Sequence, residues 1–176
     1  MGTARENRFT MQLSHDEAKL LAGFILSEYE HERPVTLKVL EAIPSGQEAY
    51  APDPKAASAL KLAWHIASSE NAFFETAIQG ATSKGNGEMP ATIRDGAGVV
   101  AWYKAHLPSQ IDKAKALSGV ALSRVVDFYG MKLPAYAILQ IMLKHSIHHR
   151  GQLATYLRPM GGKVPSIYGP SADSGE

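Results

Sequence analysis

Three of the chain's seven histidines fall within five positions, in the run Lys144-His145-Ser146-Ile147-His148-His149-Arg150-Gly151-Gln152. Residues four apart on a helix share a face, with Cβ atoms about 6 Å apart. His145 and His149 can therefore aim imidazole nitrogens at one divalent ion, at the ~2.0–2.1 Å such bonds require. Ile138, Ile141, Met142, Gln152 and Tyr156 lie on the same face, so the pair points inward. His148 lies roughly 80° around the helix from the pair's mean direction and is expected to face solvent or a subunit contact. An i,i+4 histidine pair on a surface helix usually binds nothing. On an apolar face, two unpartnered imidazoles would each cost ~1–3 kcal/mol, which favours a ligand between them. His65 is a third inward histidine, on an earlier helical stretch, with Lys61, Leu62, Ser68, Ser69 and Ala72 about one turn away. Small residues there leave a cavity rather than a packed seam.

His65, His145 and His149 would supply three neutral donors and leave a divalent ion its full charge and an open position. A water in that position becomes acidic enough to attack an ester or amide; a thiol there is delivered as thiolate. The chain has no cysteine, so any thiol must come from a small molecule. Three imidazoles suit zinc, nickel, iron or copper, with zinc or nickel placed first. Hydrolysis also wants a general base. No carboxylate adjoins the histidines in the manner of an HExxH helix, and Glu70 and Glu75 turn away from His65 on an ideal helix. Asp127 and Tyr129, or Tyr103 and His106, are the candidates able to reach; the plainer reading makes Tyr103 core and Asp127 a solvated turn residue. Arg150 and Lys61 could hold an anionic substrate, although an ion-paired or solvated role fits them better.

Four helical segments must position these groups. Ser14 and Glu17 form a capping box ahead of Leu20, Leu21, Phe24 and Ile25, then Val35, Val39, Leu40 and Ile43. Pro34 predicts a kink or break near Arg33. Pro44-Ser45-Gly46 ends the element, and a polar loop runs to Pro52. Asp53-Pro54 predicts the start of the second helix, carrying Leu60, Ala63, Trp64, Ala67, Phe74 and Ile78 to a stop at Gly80. Gly80, Gly85, Gly87 and Pro90 mark a loop. Val99, Tyr103, Leu107, Ile111 and Ala114 share a face of the third helix, with Gly96 and Gly98 fraying its start and Pro108 inside. Residues 118–133 read as a connector in which Val125, Val126, Phe128 and Tyr129 could pair briefly, with Gly130 suited to a lid. Pro134 opens the last helix; Pro159 and Gly161-Gly162 close it.

The result is an all-α four-helix bundle with no convincing sheet, whose long connections leave room for crossovers. Residues 1–162 are expected to form a single domain and 163–176 an extended tail. At 176 residues the chain should bury roughly 70% of its unfolded surface. A net charge of +1, with lysines and arginines scattered, argues against a nucleic-acid partner. No apolar run approaches the ~18 residues of a membrane span. Met1-Gly2-Thr3-Ala4-Arg5-Glu6 lacks a signal-peptide core. The absence of cysteine excludes disulfides and thiolate-bound metals and fits a cytoplasmic protein.

The run His145, His149, Arg150, Gly151, Gln152, with Leu62-Ala63-Trp64-His65-Ile66-Ala67 some 80 residues earlier, resembles the DinB/YfiT family. The stretches Arg33-Pro34-Val35-Thr36-Leu37-Lys38-Val39-Leu40 and Gly161 to Ser171 extend the likeness over nearly the whole chain. The resemblance implies a four-helix bundle, often homodimeric, whose metal is held by one histidine of the second helix and two of the fourth. These map onto His65, His145 and His149. It further implies a metal-dependent hydrolase or a thiol-dependent S-transferase acting on a small molecule; a non-enzymatic metal-binding stress protein is the alternative reading.

Overall fold

A computed structural model describes residues 13–83 and 87–174. The segment Met1–Glu6, Gly85 and the last two residues of the tail lie outside the described residues. The long helices are α1 (His15–Glu41), α2 (Ala59–Gln79) and α3 (Gly96–Ala116). A short α4 (Gly119–Ser123) and the strands β1 (Val125–Phe128) and β2 (Met131–Pro134) follow, then α5 (Ala135–Leu157).

The four long helices pack in a ring: α1 and α2 each lie against both α3 and α5. Opposite corners are therefore α1 with α2, and α3 with α5. The 42–58 and 117–134 connections cross between opposite corners, which is why they are long. The expectation of a helical bundle with crossovers is met. Val99, Tyr103, Leu107, Ile111 and Ala114 are all buried, as their spacing predicted.

Several local expectations change. The capping box at Ser14 and Glu17 forms in both directions. Pro34, however, does not break α1. Ile25, Leu26 and Tyr29 on one side of it and Val39 and Leu40 on the other are all buried, and this packing offsets one lost backbone hydrogen bond. Leu20 and Phe24 belong to the apolar period of α1 yet are 78% and 65% exposed; Ala18, Ala22 and Ile25 face the core instead. Asp53-Pro54 does not start α2. The Asp53 carboxylate accepts from the Lys55 amide at 2.8 Å in a local turn, while Ser58 caps α2 by accepting from the Lys61 amide. The loop carbonyls of Tyr50 and Glu48 accept from the Ala59 and Leu60 amides and fix that later start.

The connector holds a genuine hairpin. β1 pairs antiparallel with β2, with Val126 opposite Leu133 and Phe128 opposite Met131. Tyr129 and Gly130 form its two-residue turn, both at positive φ (51° and 83°), the primed geometry that matches strand twist. Beyond α5, residues 163–174 are held to the bundle: Asp173 accepts from the Val164 amide at 3.0 Å and from Arg158 at 2.8 Å. No helix among the described residues is long and apolar enough to cross a membrane.

One polar group is fully buried where all four long helices meet. The Glu70 carboxylate of α2 accepts from the Tyr29 hydroxyl of α1, from the Tyr103 hydroxyl of α3 at 2.6 Å and from the Ser146 hydroxyl of α5. Burial raises the Glu70 pKa, with the three hydroxyl donors and Arg33 opposing. Burial, followed by the Glu70 charge, raises both tyrosines well above 10 and keeps them as donors.

Glu70→Ala strands three hydroxyls and is expected to cost about 4 kcal/mol, a fall in melting temperature of roughly 10 °C. Glu70→Gln retains an acceptor and should cost less. Because Glu70 titrates above its unfolded value, the folded state keeps its proton where the unfolded chain has lost it. The resulting penalty is absent below the ordinary carboxylate range and complete above the raised pKa. The wild type should therefore lose stability relative to Glu70→Gln as pH rises from about 4 towards 8. Melting curves of both proteins across that range check the sign; a flat difference would refute it.

Candidate metal centre

Local sequence brings the three histidines to the α2–α5 seam. His65 lies on α2, between the buried Leu62 and Ala63 on one side and Ile66 and Ser69 on the other. His145 and His149 lie one turn apart on α5, flanking the buried Ser146. The His65 Nε2 is 3.1 Å from the His145 Nε2 and 3.2 Å from the His149 Nε2. One ligand nitrogen from each, all within 4.8 Å of one another, makes a group that can hold a metal ion. His145 and His149 share a face as their spacing predicts, and His65 meets them from α2.

The far side of each ring sets its chemistry. The His149 Nδ1–H donates to the Gln152 Oε1 at 2.9 Å, which leaves the Nε2 lone pair pointing into the cluster. The Ser69 hydroxyl is 3.3 Å from the His65 Nδ1. The His145 Nδ1 is buried without a hydrogen-bond partner. Burial, then the charge of His149, lowers the His65 pKa. Burial, followed by His149, His65 and His148, pushes His145 down to about 4. Both are thus neutral near pH 7, the form that ligates metal. Hydrogen bonding alone cannot satisfy the cluster: a single Nε2–H on His65 serves one of its two neighbours and leaves the other lone pair facing a nitrogen. A cation at the centre satisfies all three, so the residues fit the ion.

Other candidates are placed elsewhere. His148 is exposed and meets His149 only by ring contact, with centroids 4.8 Å apart. Tyr103 belongs to the Glu70 network. His106 is stacked on Trp102 at 4.2 Å, its Nδ1 2.8 Å from the Trp102 carbonyl. The exposed Asp127 pairs with Lys132 at 2.7 Å, and this hydrogen bond lowers its pKa. Lys61 is exposed. Glu75 accepts from Asn71 and Ser83 at 2.8 and 2.7 Å. Arg150 is buried, ion-paired to Glu32 of α1, and donates to the Tyr168 hydroxyl at 2.6 Å; it clamps α5, α1 and the C-terminal segment together. Glu70 is the residue that sequence reasoning undervalued, since α-helical angles turn it from His65 without revealing three hydroxyls waiting in the core.

A cavity of about 240 Å³ abuts the cluster, bounded by Ser69, His145 and the hairpin. The connector does cover it, as expected of a lid, with Phe128 and Tyr129 on its wall. No residue of the third helix is among those lining it, so the candidate bases Tyr103 and His106 are not at the cavity. The bundle ring puts α3 against α2 and α1 rather than α5, so the hairpin and residue Ser83 take that wall instead.

Comparison with known proteins agrees with the helical fold. A sequence model described as the DinB family matches residues 15–176. The chain is 30% identical over 140 residues to the protein YjoA of Bacillus subtilis, covering 78% of this chain and 89% of that one. It is 36% identical to YrdA of the same organism over a shorter stretch of 52 residues, 30% of this chain and 31% of that one. The crystal structure of the DinB-like YjoA superposes with a TM-score of 0.69 at 27% identity, over 83% of this chain and 99% of that one. A DinB-like protein from Bacillus cereus ATCC 10987 shares the fold, with a TM-score of 0.69 at 19% identity, over 82% of this chain and 95% of that one.

The geometry separates two adjacent histidines. His149→Ala should lower metal stoichiometry on purified, tag-free protein, and His148→Ala should leave it unchanged. Equal loss in both variants, measured by elemental analysis, would show that the wrong face of α5 was chosen.

Proposed function

The chain belongs to the DinB family, and from that premise we propose that it binds a divalent transition metal, zinc or nickel, through His65, His145 and His149 and acts as a metal-dependent hydrolase on a small molecule. The observation that carries this reading is the meeting of three Nε2 atoms, with contacts of 3.1 and 3.2 Å, beside a cavity. When bound, the ion would supply Lewis-acid polarisation of a substrate oxygen and acidification of water or a thiol. The chain's own residues hold and orient: Gln152 fixes the His149 tautomer, and Ser69 abuts His65. Three protein donors leave coordination positions for a substrate, as in catalytic rather than structural sites.

One observation favours a second reading, transfer of a low-molecular-weight thiol. No carboxylate is among the described residues lining the cavity, and Glu75 and Glu70 are engaged elsewhere. Hydrolysis needs a base for its water, whereas a thiol is acidic enough to react without one. The cysteine-free chain would take that thiol from solution, in keeping with a cytoplasmic setting.

We also assign a homodimer. Leu20 and Phe24 stand one turn apart on the outer face of α1, an exposed apolar pair outside the core that the described residues form.

Metal-loaded protein should turn over activated esters or amides, or conjugate electrophiles only when a small thiol is added. Activity that survives chelation, or is untouched by His145→Ala, would exclude both readings. Light scattering should give twice the chain mass, and Leu20→Glu/Phe24→Glu should halve it; a monomer at every concentration would remove the dimer.

A further inference from the structure

The cavity beside the histidines has an aromatic wall that runs outward from the cluster. The His145 ring lies 5.2 Å from Phe73, Phe73 lies 5.5 Å from Phe128, and Phe128 lies 4.8 Å from Tyr129 (centroid to centroid). Ala72 completes the apolar lining. The serine and threonine hydroxyls at the cavity are occupied by the protein itself. Ser83 donates to Glu75 at 2.7 Å, Thr76 donates to the Ala72 carbonyl at 2.8 Å, and Ser69 lies against His65. Among the described lining residues, none is an acid, a lysine or an arginine.

The outermost ring breaks a local rule. Tyr129 is the one non-glycine with positive φ among the described residues. The first position of such a turn ordinarily carries Asn, Asp or Gly, because a bulky side chain there costs about 1–2 kcal/mol. The residue is 72% exposed, so burial does not repay that cost. The turn is nevertheless held firmly: the Asp127 carboxylate accepts from the Gly130 amide at 2.8 Å and from Lys132. Thr82, just beyond α2, donates to the Asp127 carbonyl and ties the hairpin over the cavity. A strained, solvent-exposed aromatic at the mouth of an aromatic-walled cavity is suited to a ligand's ring.

We propose that this cavity binds a neutral aryl group of the substrate and that Tyr129 is a specificity-determining residue closing over it. The inference rests on the metal reading above, which places the substrate's reacting group at the three histidines. Size agrees, since an apolar cavity of about 150 Å³ already holds benzene and this one offers about 240 Å³. Charge agrees as well, because beyond the histidines no described lining side chain offers a charge to pair with a charged group.

Two hydroxamates with the same metal-binding head test it: benzohydroxamate and acetohydroxamate, titrated calorimetrically into zinc-loaded protein. The wild type should bind benzohydroxamate at least tenfold more tightly, a difference of about 1.4 kcal/mol. Tyr129→Asn should reduce that preference at least threefold, with metal content unchanged and a melting temperature no lower than wild type, since Asn relieves the turn. Tyr129→Phe should keep the preference. Equal affinities in the wild type, or an undiminished preference in Tyr129→Asn, would overturn the aryl assignment while the metal reading stands. Protein that takes up no zinc and binds neither hydroxamate would overturn the metal reading, and this inference with it.

Discussion

Glu70 receives one hydroxyl from each of the other long helices, and the relative placement of those helices depends on that meeting. An apolar seam between helices tolerates sliding, because dispersion contacts are many and weakly directional. A buried carboxylate does not, because displacing any hydroxyl leaves a polar atom unsatisfied in a dry interior. Tyr29, Tyr103 and Ser146 are therefore tied to one point on α2. The same tie sets the histidines. Ser146 follows His145 directly on α5, and Glu70 follows Ser69, which touches His65 on α2. Fixing the Glu70–Ser146 contact fixes the register in which one imidazole from α2 meets two from α5.

The bundle thus carries two polar clusters of opposite character. At Glu70, burial favours the neutral acid while hydroxyl donors favour its ionised form, and the group is fully enclosed. At the histidines, burial favours neutral rings, and neutral rings expose lone pairs. The first cluster is closed by protein donors. The second is left short of hydrogens and borders a cavity. That difference, satisfied against unsatisfied, separates a device that positions helices from a group that can hold a cation.

The hairpin connects these features to solvent. A connection between opposite corners of the bundle must pass over its end, and here that passage is used to cover the cavity. Val126 and Leu133 are buried in the core, while Phe128 at the other end of β1 packs on Phe73 and Tyr129 of the turn packs on Phe128. The Arg150–Glu32–Tyr168 clamp performs a similar task for the C-terminal segment. It joins α5 to α1 immediately beside His149 and accounts for the arginine in the His-Arg-Gly-Gln run as a structural residue.

The histidine face of the last helix was legible in the sequence, because helical geometry converts a spacing of four into a shared face; His65 was singled out by its inward position and small neighbours, and joined to the pair by the family resemblance. Caps at Ser14 and the stops at Gly80 and Gly161 were legible for the same local reason. The helix start at Ser58 and the unbroken path through Pro34 were not, and the hairpin was visible only as a brief pairing of Val125, Val126 and Phe128, since each is decided by contacts from outside its own segment. Residues 118–133 look like a connector until Val126 and Leu133 find a core to bury in. Leu20 and Phe24 share the apolar period of α1 but not its core, because periodicity fixes a stripe without fixing how wide the neighbours cover it. Glu70 shows the limit most clearly: sequence alone makes it one of several acids on a helix. Only tertiary structure brings three hydroxyls from three other helices onto it, and so decides that this carboxylate is enclosed in the core while the neighbouring histidines remain open at their cavity.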